Sequence, residues 1–399
     1  MDTRQFIADH LHDDVHELAL KYSNAKVDMA LALRQIEARQ LLHDKVPSWS
    51  DNEELLFPSR LSIEQCSSEA TASYKASLAK GRSFADLTGG LGVDCHFIAS
   101  KFQTSDYVEL NPELCSLASH NFKVLGSNIN VHNESAVSFL NRCEPVDCFL
   151  IDPARRDLHG RKTVSIADCT PNLIELQDLL LQKARRVMVK LSPMLDISKA
   201  LTELHLVSEV HVVAVANECK ELLLILENGY EDAPSFTCVN LLTEQPSVSF
   251  SQEEERTCPA VLADTVQTYL YEPNAALLKG GCFKLLTKRF PLSKLYPNSH
   301  LYTSEQHIAR FPGRVFKVID WAPYSKKLKK TLLTSIHKAS ITTRNFPLTA
   351  AELRQSLRLA ESDENYLFAT TLGENQKVVI LCERILTRFE KDLYLCKIN

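Results

Sequence analysis

Three things are scarce in this sequence, and each scarcity excludes something. No apolar run approaches the roughly 18 residues that a membrane span requires, and the opening "MDTRQFIADHLHDD" lacks the apolar core of a signal peptide. A cytoplasmic protein with no membrane partner is the expectation. No CxxC pair occurs among the twelve cysteines, most of which sit in apolar runs such as "VDCFLID". That argues against a zinc site or a disulfide framework, and for reduced thiols packed as small hydrophobes. No bound metal is expected. Glycine is scarce too: there are eleven in 399 residues, yet Gly89, Gly90 and Gly92 all fall within "FADLTGGLGVD" at 84–94.

What is present is ordinary in bulk and uneven in detail. A composition of 45% hydrophobic and 24% charged residues is that of a globular protein, and 399 residues exceed one ordinary core, so two or three domains are expected. The net charge of −5 hides an asymmetry. From Lys279 to Arg344 there are fourteen Lys and Arg against Glu305 and Asp320, a net of +12, which leaves −17 on the rest. One basic region on an acidic chain suits a polyanion, while the plain alternative is the solvated face of a small basic domain.

Residues 1–80 read as a helical region, with Phe6, Ile7, Leu11, Val15 and Leu18 at three- and four-residue spacing. "IEQCSSEATASYKASLA" reads as a further helix leading into the glycines. From 81 to 230 short apolar runs ("SFADLT", "DYVEL", "INVH", "DCFLID", "RRVMVKL") alternate with segments of helix length, the pattern of a parallel sheet wrapped by helices. "SEVHVVAV" and "ELLLILE" are joined only by "ANECK", which places an antiparallel pair at one end of that sheet. "ENGYEDAPS" marks a boundary. Residues 231–313 read as a linker and a small domain containing the helix "NAALLKGGCFKLLTKRF", and 314–399 as a small α+β unit.

A strand that ends in a glycine turn and opens a helix presents free backbone N–H groups, and missing side chains let a nucleotide-like ligand approach. Dinucleotides and S-adenosylmethionine both use this device. The dinucleotide fingerprint GxGxxG, begun by Gly90 and Gly92, requires a third glycine where Cys95 stands. Glu109 ends the second strand in "YVELNP", where a carboxylate grips a ribose diol in both ligand classes.

Together "FADLTGGLGVD", "YVELNP", "NESAVSFL" and "FLIDPARR" resemble a class I S-adenosylmethionine-dependent methyltransferase. With "KLSP" and "YLYEPNAALLKGG" following in order, the chain resembles the bacterial family that carries a ferredoxin-like insert and a C-terminal THUMP-like domain. The resemblance implies an α/β fold: a Rossmann-like seven-stranded methyltransferase domain, an N-terminal helical region and small α+β domains after it. It implies a donor site formed by Asp86, Gly89, Gly90 and Gly92, with Asp94 near the methionyl end and Glu109 on the ribose hydroxyls. Leu110 lies beside Glu109, and Glu134 with Ser135 stands near the adenine amino group. For Glu134 the alternative is a helix-start acid that favours the dipole. The helix at 64–72 is expected to close over the donor.

"FLIDPARR" puts Asp152 and Pro153 at the carboxyl end of the fourth strand, where ligands bind in open α/β sheets. Amino-methylating enzymes have Asp/Asn-Pro-Pro-aromatic there, and the carboxylate with a following carbonyl can aim an amino group at the methyl carbon. Here Arg155 takes the aromatic place, and a guanidinium can stack on a base or clamp a phosphate. Arg155 and Arg156, with Arg161 and Lys162, are expected to contact substrate. RNA uridine-C5 methyltransferases carry Asp-Pro-Pro-Arg, but their later cysteine nucleophile is replaced here by Leu191, which removes covalent ring activation. His159 is left unassigned.

"WAPYSKKLKKTLLTSIHK" sets Trp321 and Tyr324 beside four lysines, a combination that holds single-stranded RNA, unless the rings pack a core. The resulting expectation is a methyltransferase that modifies a nitrogen of a base in tRNA or rRNA. The alternatives are a non-catalytic RNA-binding protein with a degenerate fold, or a methyltransferase acting on a protein or small molecule. Oligomeric state is not written in the sequence.

Overall fold

The computed structural model describes residues 2–22, 26–154, 166–387 and 391. By internal contacts the chain divides into two units: residues 1–210 with 221–233, and residues 211–220 with 234–399.

In the first unit the alternation of strand and helix produces the expected sheet. Its strands are β1 (Ser83–Asp86), β2 (Thr104–Glu109), β3 (Asn130–Asn133), β4 (Val146–Ile151), β5 (Ala184–Leu191), β6 (Val207–Val215) and β7 (Glu218–Glu227), in the order β3-β2-β1-β4-β5-β7-β6. The first five are parallel, and β7 runs antiparallel to β5. "ANECK" turns tightly because Ala216 and Asn217 both take positive φ, 47° and 68°, as a two-residue hairpin turn requires. The strand order reverses between β1 and β4, and the carboxyl edge beside that reversal is where an open α/β sheet leaves a crevice. Phe84, Tyr107, Cys148, Leu150, Met188, Leu223 and Ile225 fill the core beneath it.

The N-terminal helices brace this edge. Trp49, Leu55 and Phe57 share a buried cluster with Leu91 and Val93, the residues that flank Gly92. The expected continuous helix before β1 is instead two helices, Arg60–Gln65 and Glu69–Leu78. Ser68 causes the break, since its Oγ accepts the Thr71 N–H and restarts the helix as an N-cap. Segment 64–72 therefore contains a corner rather than a single closing helix.

The second unit holds residues 211–220 at the tip of the β6–β7 hairpin, then the antiparallel pair β8 (Ser235–Leu241) and β9 (Val248–Ser251), which follow β6 in the strand order and bring the first sheet to nine strands, and a second sheet. That sheet consists of β10 (Tyr269–Pro273), β11 (Ser293–Lys294), β12 (Tyr302–Ser304), β13 (Gly313–Pro323), β14 (Ser340–Thr343), β15 (Tyr366–Leu372) and β16 (Gln376–Ile385), in the order β11-β12-β10-β13-β16-β15-β14. The helix expected over 274–290 is split into Ala275–Gly280 and Leu285–Arg289, because Gly281 ends the first in a left-handed cap at φ 81°. The lysine-rich stretch after Pro323 forms only one helical turn, Leu328–Thr331. Trp321 packs against the core of this sheet, and Tyr324 meets Phe346 edge-on at 5.1 Å. The packing alternative for these two rings is therefore the one with partners.

Candidate functional site

The glycine turn is dictated by its neighbours. A Cβ on Gly89 would lie 2.1 Å from the Tyr107 ring, and one on Gly92 would lie 2.8 Å from Phe122, with φ at 88° besides. Gly90 differs. Its φ of 55° favours glycine, but a Cβ there would meet nothing closer than the Thr88 carbonyl oxygen at 3.9 Å. Two glycines are thus needed for packing and backbone, and the third faces open space at the carboxyl edge.

Around that space the polar groups are fixed. The Gly90 N–H donates to Glu109 Oε2 at 2.9 Å and the Asn111 N–H to Oε1 at 2.8 Å, so the carboxylate is held at the tip of β2 with lone pairs to spare. Tyr107 donates its hydroxyl to the Gly90 carbonyl at 2.6 Å. Leu110, the next residue, is 70% exposed, an apolar surface beside the carboxylate. Asn133 pairs with Glu109 across β2 and β3, so Glu134 is the next step along the same edge. The Glu134 carboxylate is gripped by Arg142, which holds it below the usual range, and Ser135 Oγ caps the helix Ala136–Arg142 through the Ser138 N–H. Glu134 precedes this N-cap and lies outside the first turn, so its partner is the Arg142 side chain rather than the helix dipole.

Asp86 is buried at the end of β1 and accepts the Thr88 N–H at 3.1 Å. Burial, added to by the Asp94 and Asp152 carboxylates, pushes it up to about 8. Thr88 also reaches the acceptor side, because its Oγ1 accepts the Asp152 N–H at 2.7 Å. Pro153 is buried, and Ala154 is locked by two backbone hydrogen bonds with Thr170 of 2.8 and 3.0 Å. Arg155, Arg156, His159, Arg161 and Lys162 lie outside the described residues.

Sequence reasoning missed a run of alternating charges beneath this edge. Glu221 binds the Lys75 ammonium with both oxygens at 2.8 Å. Lys75 is 3.1 Å from Asp94 Oδ1 and 3.1 Å from Ser67 Oγ, and Ser67 donates to Asp94 Oδ2 at 2.6 Å. Lys190 then stands 3.6 Å from Asp94 Oδ2 and 2.6 Å from Asp152 Oδ2. The register explains the meeting: Ile151 pairs with Val189 and Leu191 with Leu222, so Glu221 lies level with the carboxyl ends of β4 and β5, where Asp152 and Lys190 stand. Burial alone would raise Asp94, but Lys75 and Lys190 outweigh it and hold its carboxyl below the usual range. Burial raises Glu221 despite Lys75. One signal was available: the buried face of the helix Glu69–Leu78 is Thr71, Ala72, Lys75 and Ala76, which places a lysine where the 3.6-residue period calls for an apolar side chain.

A glycine turn at the first strand, a carboxylate ending the second and an Asp-Pro ending the fourth, on five parallel strands followed by the antiparallel β7 and β6, define a methyltransferase fold. The C-terminal part matches family models for a ferredoxin-like domain over residues 269–312 and for a THUMP-like domain over 313–384. Over nearly its whole length the chain is similar to a candidate methyltransferase from Porphyromonas gingivalis W83, with 36% identity, 96% of this chain and 98% of that one covered, and a TM-score of 0.84. The chain belongs to the bacterial family of class I S-adenosylmethionine-dependent methyltransferases with a ferredoxin-like insert and a THUMP-like domain.

More distant likenesses cover part of the chain. One is TrmK from M. capricolum, solved with S-adenosyl-homocysteine, at 12% identity over 41% of this chain and 70% of that one, TM-score 0.32. Another is an rRNA methylase from Streptococcus thermophilus, at 14% identity over 40% of this chain and 93% of that one, TM-score 0.30. No curated protein matches the chain.

Proposed function

We propose that this protein transfers a methyl group from S-adenosylmethionine to a nitrogen of an RNA base. The observation that carries the reading is the pair of anchored carboxylates on one sheet edge: Glu109, held by two backbone N–H groups, and Asp152, whose own N–H is held by Thr88. The donor residues fit their ligand. The open position over Gly90 admits a nucleoside against the backbone, Glu109 retains lone pairs for a ribose diol, and Leu110 offers an apolar face to adenine. Gly89 and Gly92 shape the turn, Asp86 fixes its start through Thr88, and Asp94 sits at its exit toward the methionyl end. Glu134 and Ser135 follow on the adenine side.

When bound, the donor supplies an electrophilic methyl carbon on a sulfonium. The chain's task is to place the acceptor. Asp152 takes a hydrogen bond from the acceptor N–H, the Pro153 carbonyl takes a second, and the nitrogen lone pair is aimed at the methyl carbon from about 3–3.5 Å. The donor would give up its methyl carbon to that lone pair and keep the C–S electron pair on sulfur, while Asp152 and the Pro153 carbonyl would hold the acceptor N–H until its proton passes to water. RNA as partner draws support from the net charge of +12 between Lys279 and Arg344 and from the THUMP-like match. Arg155 and Arg156 are proposed to meet the RNA backbone.

Two variants separate the halves of the site. Glu109→Ala should weaken donor binding about 10- to 100-fold by calorimetry, the range for a lost charge-assisted hydrogen bond. Asp152→Ala should keep donor affinity and abolish transfer. The function itself is tested by mass spectrometry of nucleosides in RNA from cells with and without the gene. A methylated nucleoside missing from one RNA class supports it; identical profiles in every class overturn it.

A further inference from the structure

Lys190 occupies an unusual place. It lies near the carboxyl end of β5, just after the apolar run Val187–Val189, its side chain is only 13% exposed, and it touches one carboxylate from each half of the site. Asp152 Oδ2 is 2.6 Å away on the acceptor side, and Asp94 Oδ2 is 3.6 Å away on the helix that leaves the glycine turn. Asp94 is itself immobilised by Ser67 and by Lys75, which is fully buried and tied to Glu221. The series Glu221, Lys75, Asp94, Lys190, Asp152 thus alternates in sign from the interior outward, ending on a carboxylate that is 40% exposed.

Such a series is a poor way to gain stability. Burying charges costs several kcal/mol per ion, and apolar residues of similar volume often do as well or better. What it does provide is direction. A carboxylate on a loop after a strand has two free torsions, and a short ammonium contact removes that freedom without blocking both oxygens. Burial alone would lower the Lys190 ammonium, yet Asp152, and after it Asp94 and Glu221, hold it above its usual range, so the clamp stays charged.

We propose that Lys190 is the positioning residue of the transfer step, orienting Asp152 against the fixed Asp94 so that the acceptor nitrogen lines up with the methyl carbon. This rests on the transfer proposed above. Lys190 itself touches neither substrate; it acts through Asp152. A side chain at the acceptor that is free to rotate loses alignment, and a misplacement near 1 Å costs about 10²-fold in rate.

The test uses the full chain, a tritiated methyl donor and bulk RNA from cells lacking the gene. Lys190→Met should lower kcat about 10- to 100-fold, while KM for RNA and the donor dissociation constant stay within about threefold. Lys190→Arg, which keeps the charge, should return kcat to within about threefold to tenfold of wild type and above that of Lys190→Met. Three results overturn the proposal: wild-type kcat in Lys190→Met, no gain in Lys190→Arg, or donor binding lost in Lys190→Met. Lys190→Gln replaces the methionine variant if that one fails to fold. If the wild-type protein labels no RNA, the RNA function falls, and crystal structures decide on Lys190 separately. Asp152 leaving its rotamer in the variant supports the clamp, and an unmoved Asp152 overturns it.

Discussion

Asp86 carries a stability consequence of its own. Its carboxyl is buried and lifted from 3.8 to about 8, so the folded state holds a proton that the unfolded chain gives up near pH 4. A raised folded value contributes stability that is complete below the unfolded pKa and is lost as pH climbs through the folded one. Asp86 therefore makes the protein progressively less stable from about pH 4 to about pH 8. Asp86→Asn mimics the protonated group and should flatten the Tm profile across that window, read by thermal melts at a series of pH values. A wild-type slope persisting unchanged in the variant would place the effect elsewhere.

At the scale of the element, the turn between β1 and the helix Val93–Ala99 divides its glycines by task. Gly89→Ala drives a methyl into Tyr107, and Gly92→Ala adds a collision with Phe122 to a left-handed backbone. Each should cost about 1–3 kcal/mol of stability in denaturant titration. Gly90→Ala has room for its methyl and should cost only about 1 kcal/mol, with its main effect on donor affinity. If all three lose stability equally and bind the donor alike, Gly90 does not face the ligand.

This turn was readable in the sequence because its demands are local: a strand, a run of glycines and a helix start lie within eleven residues. Asp152 and Glu109 were readable for the same reason, each closing an apolar strand. The Lys75–Glu221 pair was not, since its partners are 146 positions apart and meet only through the sheet order. Trp321 was left between stacking platform and core for a related reason. An aromatic among lysines reads as a stacking platform, and only the packing of the second sheet shows where the ring goes. The break at Ser68 was missed because the helical period runs on both sides of it.

For the whole molecule, charge separation sets the expected behaviour. If the segment from Lys279 to Arg344 meets RNA phosphates, affinity must fall with salt by roughly 0.7–0.9 log units per log unit for each phosphate neutralised. Filter binding of the full chain to tRNA or rRNA fragments across a salt series measures that slope directly. A flat line would assign the basic segment to solvent.

The hairpin of β6 and β7 has one more implication. Residues 211–220 belong with the later unit while the stretches on both sides of them belong with the earlier one, so the backbone changes allegiance three times. A cassette cut at 233 would carry a ten-residue orphan on one piece and a matching vacancy on the other. Swapping or grafting these halves therefore calls for three seams rather than one.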